Sequence, residues 1–530
     1  MKPIRLLSGF LTVGGWTMAS RILGFARDIL IAATMGSGPV GQAFLVAFAL
    51  PNMFRRFFAE GAFNMAFVPL FSKKLERGED ARGFATEAFA GLAAILAVFS
   101  AVAIVAMPLL VLAMASGFAG DVRFELAVTY GRICFAYILF ISLGALLSGV
   151  LNALGHFAAA AAAPVLLNLI LITALLLAET GIFLDVAVIE ATGAAALTGA
   201  HQATLLVWGV LFAGVAQLAM LWWAAHRAGY GLRLTWPRFT PEMKRLLVLA
   251  APAALAGGVV QINLLVGRQV ASFFDGAVFW LGMADRLYQL PLGVVGIAVG
   301  IVLLPDLSRR IGAGDDTGGR TAFSRAGEIS LALTLPAAMA LCVIPGPLVS
   351  VLYERGAFTS ADTTATALAV AIYGAGLPAF VLQKVLQPLY YAREDTRRPF
   401  RYAAIAMLVN AVIAIGLAPL IGWPAAALAT TLAGWALVGL LLWGARDMGD
   451  TARFDARFAH RLPRQVLACC VMALCLLALR EVLNDALNAP ILRYGALALL
   501  VGGGAASYFA AAHLLGALRL SDLKSALRRG

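Results

Sequence analysis

The sequence predicts an all-α polytopic membrane protein of fourteen transmembrane helices. They form two parallel six-helix repeats, related by a pseudo-two-fold axis along the membrane normal, plus two C-terminal helices. Three observations predict this. Of 530 residues, 62% are apolar and 13% charged, with a mean hydropathy of +0.89, where a soluble chain carries about 25% charged residues. Apolar windows recur along the whole chain, and about 20 residues suffice to cross the hydrocarbon core. The two halves also match each other at an offset that drifts only from 236 to 242.

Span one, at 7–34, follows Lys2 and Arg5 and runs past any small-residue cleavage site into Arg21, Arg27 and Asp28. It therefore reads as a retained helix and not as a signal peptide. Span two, at 41–72, carries Asn52, Arg56 and Glu60 at i, i+4 and i+8, one polar stripe, with Arg55 on its flank and Pro51 breaking the helix. Spans three to six fall at 84–115, 125–153, 159–179 and 201–226. Spans seven and eight, at 245–273 and 277–308, carry Arg268 and the adjacent Asp285 and Arg286. Pro291, Gly293, Gly296 and Gly300 then give span eight a closely packing, flexible segment. Span nine is 323–352, and span ten, 363–392, sets Lys384 beside Gln383 and Gln387. Spans eleven and twelve are 400–420 and 424–445, and spans thirteen and fourteen, 465–484 and 491–516, lie outside the repeat.

The repeat places Pro69 on Pro305, Ser72 on Ser308, and Lys73-Lys74 on Arg309-Arg310. Phe84 falls on Phe323, Pro108 on Pro347 and Asn168 on Asn410. Six is even, so the two units share one orientation and enclose a central cavity. The expected organisation is an N-terminal lobe at 1–228, a C-terminal lobe at 240–446, two additional helices at 460–517 and a basic cytoplasmic tail at 518–530.

Charge is distributed in two ways. In alternate loops, 28 Lys and Arg lie on one side and four on the other, which puts both termini in the cytoplasm by the positive-inside rule. Eight more fall at membrane depth: Arg21, Arg27, Arg55, Arg56, Arg132, Arg268, Arg286 and Lys384. Only Asp28, Glu60 and Asp285 share that depth as acids. Each intramembrane charge costs about 2.5–3.5 kcal/mol on insertion scales. Arg132, near an outer helix end, is relieved by snorkelling; the others need a partner or an aqueous cavity. Three acids leave about five bases unanswered, and an anionic ligand answers that surplus better than a structural network does. Arginine in particular suits bidentate phosphate recognition. A local Arg21–Asp28 ion pair is open, since the two are seven apart on one face around Gly24.

Other chemistries lack a signature. The five cysteines sit in apolar stretches without paired spacing, the five histidines are scattered, and no Walker A loop or dinucleotide fingerprint is present. No cofactor, metal or nucleic-acid partner is expected, no enzymatic nucleophile and base stand out, and a coupling cation has no assignable site.

Five stretches carry a family resemblance: "SRILGFARD" at 20–28, "LPNMFRRFFAEGAFNMAFVPLFS" at 50–72, "ADRLYQLPLGVVGIAVGIVLLP" at 284–305, "YERGAFT" at 353–359 and "KVLQPLYYAREDTRRP" at 384–399. With these the chain resembles the MviN/MurJ family of lipid II flippases, in the multidrug, oligosaccharidyl-lipid and polysaccharide exporter superfamily. The resemblance implies a bacterial inner-membrane protein of peptidoglycan biosynthesis and cell shape. Its partners would be lipid II (undecaprenyl-diphosphate-linked disaccharide peptide), membrane lipids and the peptidoglycan synthesis machinery. By motif position, the family's functional residues fall on Arg21, Arg27, Arg55, Glu60, Asp285, Arg286 and Lys384, while Arg56 and Arg268 join the substrate-binding set on the charge argument alone. The two additional helices would shape a groove for the lipid tail. Where members often carry an acid in "TDAF", this chain has Gln42, so a periplasmic gate there, with Asp28 as a further gate or ion-pair residue, closes without that carboxylate. The implied mechanism is alternating access. Alternatives are a flippase for another polyprenyl-diphosphate oligosaccharide, a multidrug antiporter of the same superfamily, or a membrane scaffold or glycosyltransferase of cell-wall synthesis.

Overall fold

The structure is a computed structural model that describes residues 6–55, 63–181, 197–233, 235–237 and 240–518. Arg56, Glu60 and residues 519–530 of the expected tail lie outside the described residues. Helix dominates, and the described residues contain one isolated antiparallel bridge, Arg355 with Phe358. Among the described residues, ten helical segments are long and apolar enough to cross a membrane. The chain is a multi-pass membrane protein. Leu6–Met35, Pro241–Ala271 and Ala277–Gly312, at 30, 31 and 36 residues, carry several of the intramembrane charges; at about 1.5 Å per residue each exceeds the hydrocarbon thickness.

The chain divides into two compact units. One comprises Met1–Phe279 with Arg355–Phe358, and the other Trp280–Glu354 with Thr359–Gly530. In the first unit, α1 (Leu6–Met35), α2 (Pro39–Arg55), α3 (Phe63–Glu76) and α4 (Ala81–Val105) precede a nine-residue α5 (Met107–Ala115). Then follow α6 (Val122–Phe135), α7 (Tyr137–Ala153), α8 (Phe157–Glu179), α9 (Ala200–Arg227) and α10 (Pro241–Ala271). α2 runs through Pro51 without a break, as membrane helices tolerate where neighbours supply new contacts. Asn52 donates to the Phe48 carbonyl at 2.8 Å just below the proline. Stacked Phe67, Phe71 and Phe84, with Leu92, Leu96 and Leu147, form the core among α3, α4 and α7. α1 and α9 both pack on α8.

α10, which the repeat assigns to the second half, packs with the first unit at both of its ends. Near its start, Glu242 pairs with Lys74 at 2.7 Å, the Thr240 hydroxyl donates to Glu87, and Met243 seats on Gly91. The Glu242 carboxylate holds the Lys74 ammonium above its usual range. Near its end, Gln269 bonds both the Ser116 backbone N–H and the Ser116 hydroxyl, and Ser272 accepts from Gly117 N–H at 3.0 Å.

In the second unit, α11 (Ala277–Gly312), α12 (Asp316–Val343) and a nine-residue α13 (Pro345–Tyr353) lead to α14 (Ser360–Tyr391), α15 (Arg397–Ile421) and α16 (Pro424–Gly444). α5 and α13 are matching short helices, each after a long span and each with proline in its first turn, which is the repeat's Pro108 and Pro347 seen as structure. Asp315 caps α12, and the Gly318 backbone N–H it accepts holds its carboxyl below the usual range.

The additional helices are α17 (Ala456–Val482), a short α18 (Asn484–Asn488) and α19 (Arg493–Leu514). α17 begins well before the expected 465, so Arg457, Arg461 and Arg464 are helical and not loop residues. The reason is a buried acid that charge counting overlooked. Glu328 of α12 is 3% exposed and takes Arg325, Arg457 and Arg461, while Arg325 also pairs with Asp455, the N-cap of α17. Phe454 stacks between Phe323 and Phe458 beside this cluster. Gly503 and Gly504 let Leu479 and Leu476 of α17 lie against α19, where an added Cβ would meet each at 2.6 Å. Tyr508 donates to the Ala332 carbonyl at 2.7 Å, tying α19 to α12.

Removing one side of a buried ion cluster costs about 3–5 kcal/mol, and losing one neutral hydrogen bond about 1 kcal/mol. Glu328→Ala is therefore expected to lower the detergent melting temperature and the amount of folded protein in membranes far more than Tyr508→Phe. Equal effects would remove the cluster from its role as the main tie of the C-terminal helices.

Candidate functional site: basic residues of the two units

In the first unit the site is built on α1, α2 and α8. Ser20, Gly24 and Arg27 recur on α1 at i, i+4 and i+7, one face of the helix. Arg27 and its neighbour Asp28 are 6% and 5% exposed. Arg27 Nε and Nη2 both donate to Asp28 Oδ1, at 3.0 and 2.7 Å. Nη1 donates to Asn168 Oδ1 of α8 at 2.8 Å, and Phe48 of α2 lies under the guanidinium at 5.9 Å. Asp28 thus pairs with Arg27, whereas half-buried Arg21 has no hydrogen bond or ion pair among the described residues. Arg55 ends α2, half-buried. Arg268, expected in the second lobe, is half-buried near the end of α10 and belongs to the first compact unit. Arg132, by contrast, is exposed on α6.

Gln42 lies in a second group of polar contacts. Gln42 Nε2 donates to the Ser37 carbonyl at 3.0 Å, and its Oε1 accepts from Arg123 at 3.4 Å. Arg123 is 7% exposed, although its position in a loop count marks it as solvated. Its charge is answered by Asp121 at 2.7 Å and Asp275 at 2.9 Å, with Phe118 stacked 4.7 Å from the guanidinium. Position 42 supplies only the third and longest of these side-chain contacts to Arg123. Beside it, Ala357 N–H donates to the Ala33 carbonyl at 2.7 Å. Gly36 permits that approach, since a Cβ there would sit 2.3 Å from the Ala357 oxygen.

In the second unit, α11 and α14 carry the candidate groups. Asp285 and Arg286 are half-buried. Asp285 accepts from Gln289 Nε2. Tyr288 packs against Tyr373 and Phe380 at 5.1 and 5.5 Å. Lys384 is exposed one turn beyond Phe380, and its neighbour Gln383 donates to the Gly434 carbonyl at 3.0 Å. Among the described residues no group of three or more His, Cys, Asp or Glu could hold a metal ion.

The fold defines a class. The chain shares the fold of solved membrane transporters: 83% of it superposes on 98% of a structure titled as the inward-facing conformation of a multidrug resistance MATE family transporter of the MOP superfamily, with a TM-score of 0.62 at 15% identity. A solved structure titled lipid II flippase MurJ, inward closed conformation, gives a TM-score of 0.76 at 24% identity over 95% of this chain and 98% of that one. The chain belongs to the lipid II flippase MurJ family, whose sequence profile matches residues 31–492. Proteins named probable lipid II flippase MurJ from Rhizobium tropici and Rhizobium meliloti strain 1021 are each 44% identical, over 99% of this chain and 97% of theirs. A lipid II flippase MurJ from Burkholderia cenocepacia is 36% identical over 79% of this chain and 80% of its own length.

Hydrogen bonds to charged groups contribute about 1.5–3 kcal/mol when short and aligned, and less at 3.4 Å. Gln42→Leu is therefore expected to lower the melting temperature less than Asp121→Asn. The reverse order, measured by unfolding in detergent, would place the support of Arg123 at position 42.

Proposed function

We propose that this chain flips lipid II from the cytoplasmic to the periplasmic leaflet of the bacterial inner membrane, acting as a transporter and not as an enzyme. Family membership along nearly the full length carries the reading, and the buried basic residues supply its chemistry. A diphosphate linked to a lipid is an anion that must leave water at the membrane surface. Guanidinium groups offer it paired N–H donors in low dielectric, where charge-assisted hydrogen bonds are strongest. In this reading Arg21, Arg27, Arg55 and Arg268 of the first unit bind the diphosphate, joined through the sequence stripe by Arg56 and Glu60. Asp285, Arg286 and Lys384 of the second unit complete the substrate set, with Gln289 donating to the Asp285 carboxylate.

The cycle is alternating access. Structures with this fold are titled as inward-facing and outward-facing transporters, with TM-scores of 0.62 and 0.51 to this chain, and repeat-built transporters work by such exchange. The excess of Lys and Arg between alternate expected spans, 28 against four in the sequence, supports a cytoplasmic position for both termini. No covalent step is needed, the peptidoglycan synthesis machinery receives the product, and any coupling cation lacks an assigned site. A multidrug antiporter reading fits poorly, because organic cations are repelled by the same arginines.

The test is replacement of the cellular flippase by single variants of this chain. Arg27→Ala, Arg55→Ala and Arg286→Ala are each expected to reduce exposure of lipid II to a periplasm-restricted reagent by about tenfold or more, at normal protein levels, because each removes at least one charge-assisted contact of about 1.5–3 kcal/mol. Full exposure in all three would return the basic residues to a structural role. Unchanged exposure after depletion of the protein itself would refute lipid II transport.

A further inference from the structure

The Arg27 guanidinium is held from three directions. Its Nε and Nη2 share Asp28 Oδ1, its Nη1 meets Asn168 Oδ1, and its face covers Phe48. A guanidinium carries five N–H groups. The contacts to Asp28 and Asn168 use three, which leaves one N–H on each terminal nitrogen uncommitted among the described residues. Two donors on adjacent nitrogens suit two oxygens of a phosphate.

Asn168 is itself fixed. Its Nδ2 donates back to α1, to the Ser20 carbonyl at 2.9 Å and the Ser20 hydroxyl at 3.4 Å. The amide therefore lies along two turns of α1, bonded to Ser20 at one end and to Arg27 at the other. Gly24 lies beneath it, where an added Cβ would meet the amide at 3.5–3.8 Å, ordinary contact distance. An alanine fits there and a branched side chain does not. Asn168 is 5% exposed in an otherwise apolar stretch of α8. Desolvating an amide in that setting is costly unless all of it is used, and here both ends are used on one helix face.

We propose that Asn168 is a positioning residue for substrate binding: it sets the direction of the Arg27 guanidinium so that its two remaining N–H groups are presented to a diphosphate. The proposal rests on the reading of Arg27 as an anion-binding group of a lipid II flippase. A side chain that only glued α8 to α1 would need the Ser20 contact alone. The use of Oδ1 on the guanidinium makes Asn168 a neutral acceptor, which orients the cation without cancelling its charge. Asp28 supplies the one full counter-charge, and a second carboxylate in place of Asn168 would leave the guanidinium over-neutralised.

The experiment is a double-mutant cycle on the full-length protein in nanodiscs, reading the affinity for fluorescent lipid II and the melting temperature together. Asn168→Ala is expected to weaken lipid II binding by about tenfold, as one charge-assisted contact is lost. In an Arg27→Gln background the same change is expected to add nothing, because its target is gone. Gly24→Leu, which displaces the amide without touching Arg27, reproduces the binding loss, whereas Gly24→Ala does not. Should Asn168→Ala fail to accumulate, the Gly24→Leu result decides. Equal binding losses from Asn168→Ala with and without Arg27, or wild-type binding by Gly24→Leu, would overturn the positioning role and leave the functional reading standing. Wild-type binding by Arg27→Gln overturns both, and identifies the reading of Arg27 as the part that failed.

Discussion

A positive charge taken out of water must be answered, and the architecture of this chain follows from where those answers come. An unpaired guanidinium in a low-dielectric interior costs several kcal/mol, so each buried arginine draws acidic or amide groups from other helices towards it. Arg27 brings Asp28 from its own helix and Asn168 from α8. Arg123 gathers Asp121, Asp275 and Gln42 from three segments of the chain. In the second unit the signs are reversed, and one buried carboxylate, Glu328, collects three arginines and fastens the two C-terminal helices. Apolar contact fills the space between these ties but is weakly directional, since lipid competes for the same surfaces. The polar ties decide which helix faces which.

The same constraint grades the buried charges. Arg123 and Arg461 have their carboxylates close at hand. Among the described residues Arg21 has no such partner, and Arg27 shares a single carboxylate oxygen and retains two N–H groups. In the function proposed for this member of the lipid II flippase MurJ family, these are the groups that a lipid-linked diphosphate engages.

Much of this was legible in the sequence because hydrocarbon imposes simple rules. Span length and the recurrence of Pro-Ser-basic signatures at helix ends need no knowledge of packing, and α5 and α13 each carry one of the matched prolines, Pro108 and Pro347. Arg27 and Asp28 were marked by their depth. What sequence left hidden were partners chosen by three-dimensional proximity. Asn168 shows only as an asparagine repeated at Asn410, and Glu328 is absent from the acids counted at membrane depth. Arg123 counted as a loop cation because its burial comes from the ends of α2 and α10 meeting it, which no local pattern encodes. The local pairing of Arg21 with Asp28, allowed by helix periodicity, gave way to the adjacent Arg27, whose guanidinium reaches back along the helix. Arg268 crossed from one expected lobe to the other compact unit because α10 is fastened at both ends by Lys74 and Ser116.

Reconstitution of the purified protein into vesicles with labelled lipid II in the inner leaflet, following access of a membrane-impermeant reagent over time, measures whether the chain itself moves a diphosphate-linked lipid across a bilayer. A flippase working through these arginines gives protein-dependent exposure that collapses in the Arg27→Gln protein at equal incorporation. Exposure indistinguishable from that in protein-free vesicles would refute transport by this chain.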